Sequence, residues 1–409
     1  VDDSGEQVKV RRSLCLLMVT LYASQGCWYP ALSMHLKSLG VGARATGWIF
    51  ATYPIAAMMT PIVLGRLADR RLPAERLLAL TYALGGAVLL SVSTLSGSNE
   101  PLLWVVFLVY WMLIAPGYNI SNTITMRHLA DPRKDFAGVR LWGSIGWMLG
   151  SYLMAAWLFF RVQPTQNAGI PQIFYAATLL TIVTALLSTR LSPSPPIESR
   201  TKRFLQVLRS ELLRDRNFVL YLCVGFGVGL TTPFVFQLIP ALLESKGMSR
   251  PWVLGAMTLA QIPEVFAMVL LPKVLVRVGY RGALILGVFC WTARYGFIAS
   301  GASLFWIVAS MPLQGLAIGF FLIGGQVYVD EKAPRESRAS VQALQVMVTA
   351  GLGSFLGSLI AGECQGLWPN RPDLVFLVPC LIDLFLCLVL LLGFHPSGHH
   401  RPTEPAVTS

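Results

Sequence analysis

The chain has 409 residues, 55% of them hydrophobic and only 13% charged, with a formal net charge of +12. Soluble domains carry about 25% charged residues, so the composition speaks against a soluble enzyme. It also speaks against a nucleic-acid binder, because no soluble segment interleaves basic and aromatic residues on one face. The charges are clustered between long apolar stretches, each near the ~20 residues a helix needs to cross ~30 Å of hydrocarbon. A closed barrel would need short alternating strands, and continuous apolar runs such as 381–394 are the opposite pattern.

The first ten residues are polar. The run after them is too long for a signal-peptide core and lacks a small-residue cleavage pattern, so it reads as the first spanning helix. The predicted spans are 13–36, 46–65, 76–97, 102–125, 139–160 and 172–191, taken as helices 1–6. A polar break over 192–217 holds Ser-Pro-Ser-Pro-Pro and a basic stretch, which cannot stay in lipid. Helices 7–12 follow at 218–243, 252–276, 281–300, 303–327, 340–363 and 373–394. The expected fold is therefore an all-α membrane protein of twelve transmembrane helices in two pseudo-symmetric six-helix bundles. Its domains are 1–191, a cytoplasmic linker at 192–217, 218–395, and a polar cytoplasmic tail at 396–409.

Lys and Arg set the orientation. With the N-terminus in the cytoplasm, 25 of the 32 fall on the cytoplasmic side, 6 on the other, and Arg294 lies inside the membrane. That ratio puts both termini and the linker in the cytoplasm of a cell with a cytoplasmic (inner) membrane. The seven cysteines lie mostly in apolar runs without a CxxC pair and read as packing residues. The five histidines are scattered, so no metal site and no cofactor are expected.

The two halves echo each other. Gly146-x-x-x-Gly150-Ser151 in helix 5 recurs as Gly353-x-x-x-Gly357-Ser358 in helix 11, 207 residues on. Pro132-Arg133-Lys134-x-x-Ala137-x-Val139 resembles Pro334-Arg335-Glu336-x-x-Ala339-x-Val341. Small residues four apart let helices approach closely in lipid, and recurrence near half the chain length indicates duplication. Halves related in this way enclose a site near the bilayer midplane.

Four ionisable residues fall at lipid depth: Arg140, Glu264, Arg294 and Asp383. Burying each costs at least ~2.5 kcal/mol, which makes a functional role the default reading and a static pair joining the halves the alternative. Asp383 reads equally as a boundary residue if helix 12 is offset. Gln261 and Glu264 are three apart and share a helix face, with Pro263 loosening the helix between them. On helix 5, Arg140, Ser144 and Trp147 follow 4-then-3 spacing and project from one face. A guanidinium, a hydroxyl and an indole together suit a polar ligand with a flat ring. Trp142 reads as an interfacial anchor. In helix 7 the series Gly225, Gly227, Gly229 and Thr231-Thr232-Pro233 predicts a broken helix, since no strand precedes it to make a dinucleotide fingerprint. Asn119-Ile-Ser121 is a glycosylation sequon buried in helix 4 and is dismissed.

Between helices 2 and 3, Gly65-Arg-Leu-Ala-Asp69-Arg70-Arg71 is similar to the loop signature of the major facilitator superfamily, where it acts as a conformational latch. More widely, the chain resembles that superfamily's nucleoside:proton symporters. The resemblance rests on Leu67-Ala-Asp69, Val139-Arg140-Leu-Trp142-Gly-Ser144-Ile-Gly146, Gln261-Ile-Pro-Glu264, Trp291-Thr-Ala-Arg294 and Arg338-Ala-Ser-Val-Gln342. It implies that Arg140, Ser144, Trp147, Gln261 and Glu264 contact ribose or base, with Ser for a threonine and Trp for a phenylalanine. The family's helix-7 amides map to Thr232 and Val235. Its helix-10 tyrosine maps to Gln314, and its helix-10 acid, which lies between phenylalanines, to Gly319, beside Phe321. With that acid missing, the proton falls to Glu264 or Asp383.

The expected activity is proton-coupled import of nucleosides by a monomer that touches only membrane lipid, its solute and protons. A sugar carrier or a drug exporter of the same fold is the alternative. A non-transporting receptor is disfavoured for want of a soluble domain.

Overall fold

The computed structural model describes residues 3–68, 73–95, 97, 99–161, 170–193, 212–334 and 338–395. Asp69 and Arg70 of the loop signature, Arg335 and Glu336 of the repeat, most of the linker and the 396–409 tail lie outside them.

Every regular element among the described residues is helical, and nine runs are long and apolar enough to cross a membrane. One of the nine, Arg250–Ala299, holds two spans, because Gly279 takes φ 66° and ψ −178° inside it. The chain reverses there. Gly315 and Gly319 pack on Ala260 and Ala267 in rising order, whereas Met311 and Phe321 meet Arg294 and Gly287 in falling order. Helices 8 and 9 therefore run in opposite directions beside helix 10. The remaining two spans are helix 1, made of Asp3–Gly26 and Leu32–Ser38, and helix 2, Ala43–Ala68. The fold is thus that of the major facilitator superfamily, in a multi-pass membrane protein.

Local chemistry sets the helix ends and breaks. Gly40, Gly247, Gly279 and Gly301 take positive φ where helices 1, 7, 8 and 9 stop, a conformation side chains disfavour. Asn99 caps helix 4 by accepting from the Leu102 N–H at 3.1 Å. Asp215 caps helix 7 and pairs with Lys332 of helix 10 at 2.8 Å. Burial works to raise the Asp215 carboxyl, but the Lys332 hydrogen bond and two backbone N–H groups outweigh it and hold the group below its ordinary value. Helix 4 is interrupted before Pro116, helix 7 at Thr232 before Pro233, and helix 8 at Leu259–Ala260 before Gln261.

Each six-helix set has its own aromatic hub. Trp28 is fully buried among Phe107, Tyr110, Trp111 and Phe174 at ring distances of 5.4–5.8 Å. In the second set Tyr221, Tyr328, Trp291, Phe321 and Phe394 are linked at 5.4–6.1 Å.

The repeated small-residue motif has one physical purpose in both sets. A methyl group on Gly146 would lie 2.3 Å from the Val19 carbonyl oxygen, and one on Gly150 would lie 2.3 Å from that of Ala23. The counterparts Gly353 and Gly357 would strike the Phe226 and Leu230 carbonyls at 2.6 and 2.3 Å. Val19 and Phe226, like Ala23 and Leu230, stand at the repeat offset already seen in the motif. Helix 5 therefore seats on helix 1 as helix 11 seats on helix 7, backbone against backbone. Substituting Gly146 or Gly353 with Leu should lower the melting temperature in detergent, overpacking being worth about 1–3 kcal/mol. Gly366→Ala, whose added methyl meets nothing nearer than 4.0 Å, should leave it unchanged.

Candidate functional site

The halves touch mainly at one end. Gly47 of helix 2 lies against Ser358 and Gly362 of helix 11, and a methyl on Gly47 would come within 2.8 Å of the Ser358 carbonyl. Beside them Arg44 and Glu363 form an ion pair of 2.8 Å across the two halves. Helix 5 meets helix 8 at Tyr152 and Gly255, and the far part of helix 7 packs on helix 1. All these contacts lie away from Thr189 and Arg216, the helix ends on either side of the linker. At the linker end the helix halves Arg216–Thr231, Gly324–Lys332 and Arg338–Val346 find their main partners within their own set. The two sets are thus closed at one end and parted at the other.

Between them, half-buried side chains face one another. From helix 5, the Arg140 guanidinium carbon sits 4.4 Å above the Tyr22 ring of helix 1, a cation–π contact that holds the cation without neutralising it. From helix 8, the half-buried Glu264 carboxylate lies within electrostatic reach of it. Among the described residues neither charge has an ion-pair partner. Both are half-buried rather than sealed, so solvent reaches the space between them. Helix 8 restarts at Gln261 after its break, and the Gln261 amide oxygen is buried without a partner among the described residues.

Above the charges, toward the closed end, Tyr29, Trp147 and Phe236 meet from helices 1, 5 and 7 at ring distances of 5.2–6.3 Å. Tyr118 and Tyr53 continue the lining, at 5.2 Å from Tyr22 and 4.7 Å from Trp111. The hollow is therefore a cation and an anion from opposite halves, roofed by aromatic rings.

Of the residues expected at the site, Arg140, Trp147, Gln261 and Glu264 flank this hollow. Ser144 is half-buried one turn beyond Arg140. Thr232 is half-buried at the helix 7 break, with its hydroxyl donated to the Val228 carbonyl at 2.8 Å. Gln314 is turned to Arg294, which is fully buried and donates to its amide oxygen and, at 2.9 Å, to the Met311 sulfur. Phe321 departs from expectation: it is fully buried against Gly287, Tyr221 and Trp291, because helix 10 loosens into a π-turn over Ile318–Ile323 and aims it into the hub. Asp383 is fully buried inside the second set, on Thr231. Gly65 belongs to helix 2, and its latch partners lie outside the described residues.

Sequence reasoning missed Tyr22, Tyr29, Tyr53, Tyr118 and Phe236. Three of these carried a signal: Tyr22 and Tyr29, like Trp111 and Tyr118, are seven apart in sequence at mid-membrane, where aromatics with polar tips are unusual. It also missed Gln237 of helix 7, fully buried with neither amide atom paired. A separate groove of 630 Å³, lined by Tyr152, Met248, Trp252, Leu259, Leu304 and Val308, carries no charge and is not this site.

A two-bundle membrane protein with unpaired charges between its bundles is a solute carrier. Residues 8–399 match the family model described as "Nucleoside H+ symporter", and the chain belongs to that family. It is 29% identical over 373 residues to the "Putative nucleoside transporter YegT" of Escherichia coli, covering 87% of this chain and 84% of that one. It is 26% identical over 414 residues to the "Xanthosine permease" of the same organism, covering 94% and 95%. The crystal structure of the nucleoside transporter NupG superposes with a TM-score of 0.81 at 20% identity, covering 95% of this chain and all of the other.

The Arg44–Glu363 pair is solvent-exposed, at 73% and 51% of the side chains, and such pairs contribute about 0–1 kcal/mol. Arg44→Ala should therefore leave the melting temperature unchanged within error. It should raise the fraction of molecules opened at that end by no more than about fivefold, read as a spin-label distance across helices 2 and 11.

Proposed function

We propose that this chain imports nucleosides across the cytoplasmic membrane, coupled to protons, by rocking of its two six-helix sets around the central hollow. The observation that carries the reading is the unpaired Arg140 and Glu264, one from each set, facing across an aromatic-lined space. The tyrosine and tryptophan rings suit a flat base, and the guanidinium, carboxylate and unpaired amides suit ribose hydroxyls and base edges. Binding one solute from both sides gives it different affinities for the parted and closed arrangements, which is what lets a ligand shift that balance.

Glu264 carries the proton in this reading. Position 319 cannot replace it, because a side chain there would begin 2.3 Å from the Ala267 Cβ; glycine is what lets helices 8 and 10 touch. A protonated Glu264 leaves Arg140 as the only charge that the described residues place in the hollow, and a deprotonated one forms a dipole across it. Substrate and proton thus act on the same pair. The excess of Lys and Arg on the linker side supports a cytoplasmic linker and termini. The parted end would then open to the cytoplasm, the release state of an importer. The whole path lies within one chain, which is consistent with a monomer.

Uptake of labelled uridine and adenosine into cells or proteoliposomes should fall at least tenfold in Glu264→Gln and Arg140→Ala. A protonophore should abolish accumulation by the unmutated protein while leaving exchange. Accumulation insensitive to the protonophore would remove the proton, and no uptake of any nucleoside would remove the solute.

A further inference from the structure

Asp383 of helix 12 is fully buried, and neither of the charges in the hollow is its partner. Its Oδ1 lies 3.0 Å from the Thr231 hydroxyl of helix 7, and its Oδ2 has no partner. The same hydroxyl lies 3.0 Å from the Val228 carbonyl. Helix 9 supplies Tyr295, whose hydroxyl donates to the Thr231 carbonyl at 2.9 Å. The titratable groups around the carboxyl are Tyr295 from helix 9 and Cys380 and Cys387 on its own helix. Helix 7 presents only Thr231. Arg294 is engaged with Gln314 and Met311 on helix 10, and no cation among the described residues pairs with Asp383.

The burial of the carboxyl and the scarcity of its partners decide between its two forms. A threonine hydroxyl has one hydrogen and here has two oxygens to give it to. If Asp383 carries a proton, it can donate to the Thr231 oxygen; the Val228 carbonyl also accepts from the Thr232 N–H and hydroxyl, at 3.0 and 2.8 Å, so the choice between the forms turns on the carboxyl itself. If Asp383 is charged, a carboxylate sits in apolar surroundings with a single donor and no cation, which is costly. The closed-end packing seen here therefore suits the neutral acid.

The location gives that proton a consequence. Thr231 is the last residue before the helix 7 break. Pro233 has no N–H to give the Gly229 carbonyl, so the helix can bend there. The segment beyond the break, Pro233–Ser245, carries Phe236 to Tyr29 and Trp147 and packs on helix 1, forming part of the closure. Asp383 and Tyr295 thus clasp the near side of the bend that sets this closure.

We propose that Asp383 is a second proton-binding site, separate from the solute hollow, and that a proton there holds helix 7 in the bend that closes the end away from the linker. Losing the proton releases the clasp, since the charged carboxylate gains by any movement that admits water to it. The proposal rests on the reading of the chain as a proton-coupled carrier, but its test uses no transport.

The full chain, with the exposed Cys223 changed to Ser, is labelled at Lys37→Cys and Asn370→Cys, exposed positions on either half at the closed end. Distance distributions by electron spin resonance are then taken in lipid nanodiscs between pH 6 and pH 9 without solute. Raising the pH should shift the short-distance population toward longer distances by roughly tenfold in ratio. Asp383→Asn, which keeps shape without charge, should stay short throughout, and Glu264→Gln should retain the pH response. Thr231→Val keeps the acid but removes the only donor to its charged form, so its response should occur at higher pH. A distribution insensitive to pH, an Asp383→Asn response equal to the unmutated one, or an unmoved Thr231→Val response would each overturn the proposal. A normal pH response alongside absent nucleoside uptake would instead count against the solute reading alone.

Discussion

A charge placed at the depth of the hydrocarbon must be given water, a partner or a proton, and the whole arrangement follows from how this chain meets that demand. Arg294 is wrapped by neutral acceptors from helix 10 inside one set. Asp383 is held by a threonine at a helix break. Arg140 and Glu264 are treated differently: they are left facing each other from different sets, with an aromatic ring under the cation and no ion pair to quench either. Two opposite charges held apart in a low dielectric are a strong demand for something polar between them. In the carrier proposed here, that demand is met by water in one state and by solute in another.

The second constraint is the contrast between contacts within a set and contacts between sets. Inside each set, glycines bring helix backbones together along the 1–5 and 7–11 seams, at the same register in both. Such packing has no slack and makes each set stiff. Across the sets the close contacts are concentrated at one end, where Gly47 meets Gly362 and an exposed ion pair contributes little. Stiff bodies joined by a limited contact pivot about it. The breaks in helices 4, 7 and 8 allow local bending beside the hollow, and helix 7 connects its own break to the aromatic roof.

Much of this was legible in the sequence. Twelve spans follow from apolar runs alone, and the breaks in helices 7 and 8 were marked by Pro233 with the glycine series and by Pro263, whereas that of helix 4 before Pro116 was not read. The offset between Gly146 and Gly353 announced the duplication, and the structure adds its cause in Val19 and Phe226, whose carbonyls need room. The charges Arg140 and Glu264 stood out because lipid makes charges rare. The aromatic lining was not legible to the same degree. Whether Tyr53 or Phe236 faces the hollow depends on how each helix is rotated by its neighbours, and that is a property of packing, not of spacing. Phe321 failed for the same reason: the π-turn in helix 10 rotates it into the hub. The partner of Asp383 lies 152 positions away, on a helix whose level could not be fixed from hydropathy.

The account depends most on the claim that solute is held between the two charges. A structure determined with uridine or adenosine bound tests it most directly. The account predicts one nucleoside in the hollow, touching Arg140 on one side and Glu264 or Gln261 on the other, with its base against the tyrosine and tryptophan rings. A nucleoside bound entirely within one six-helix set, touching neither charge, would contradict it.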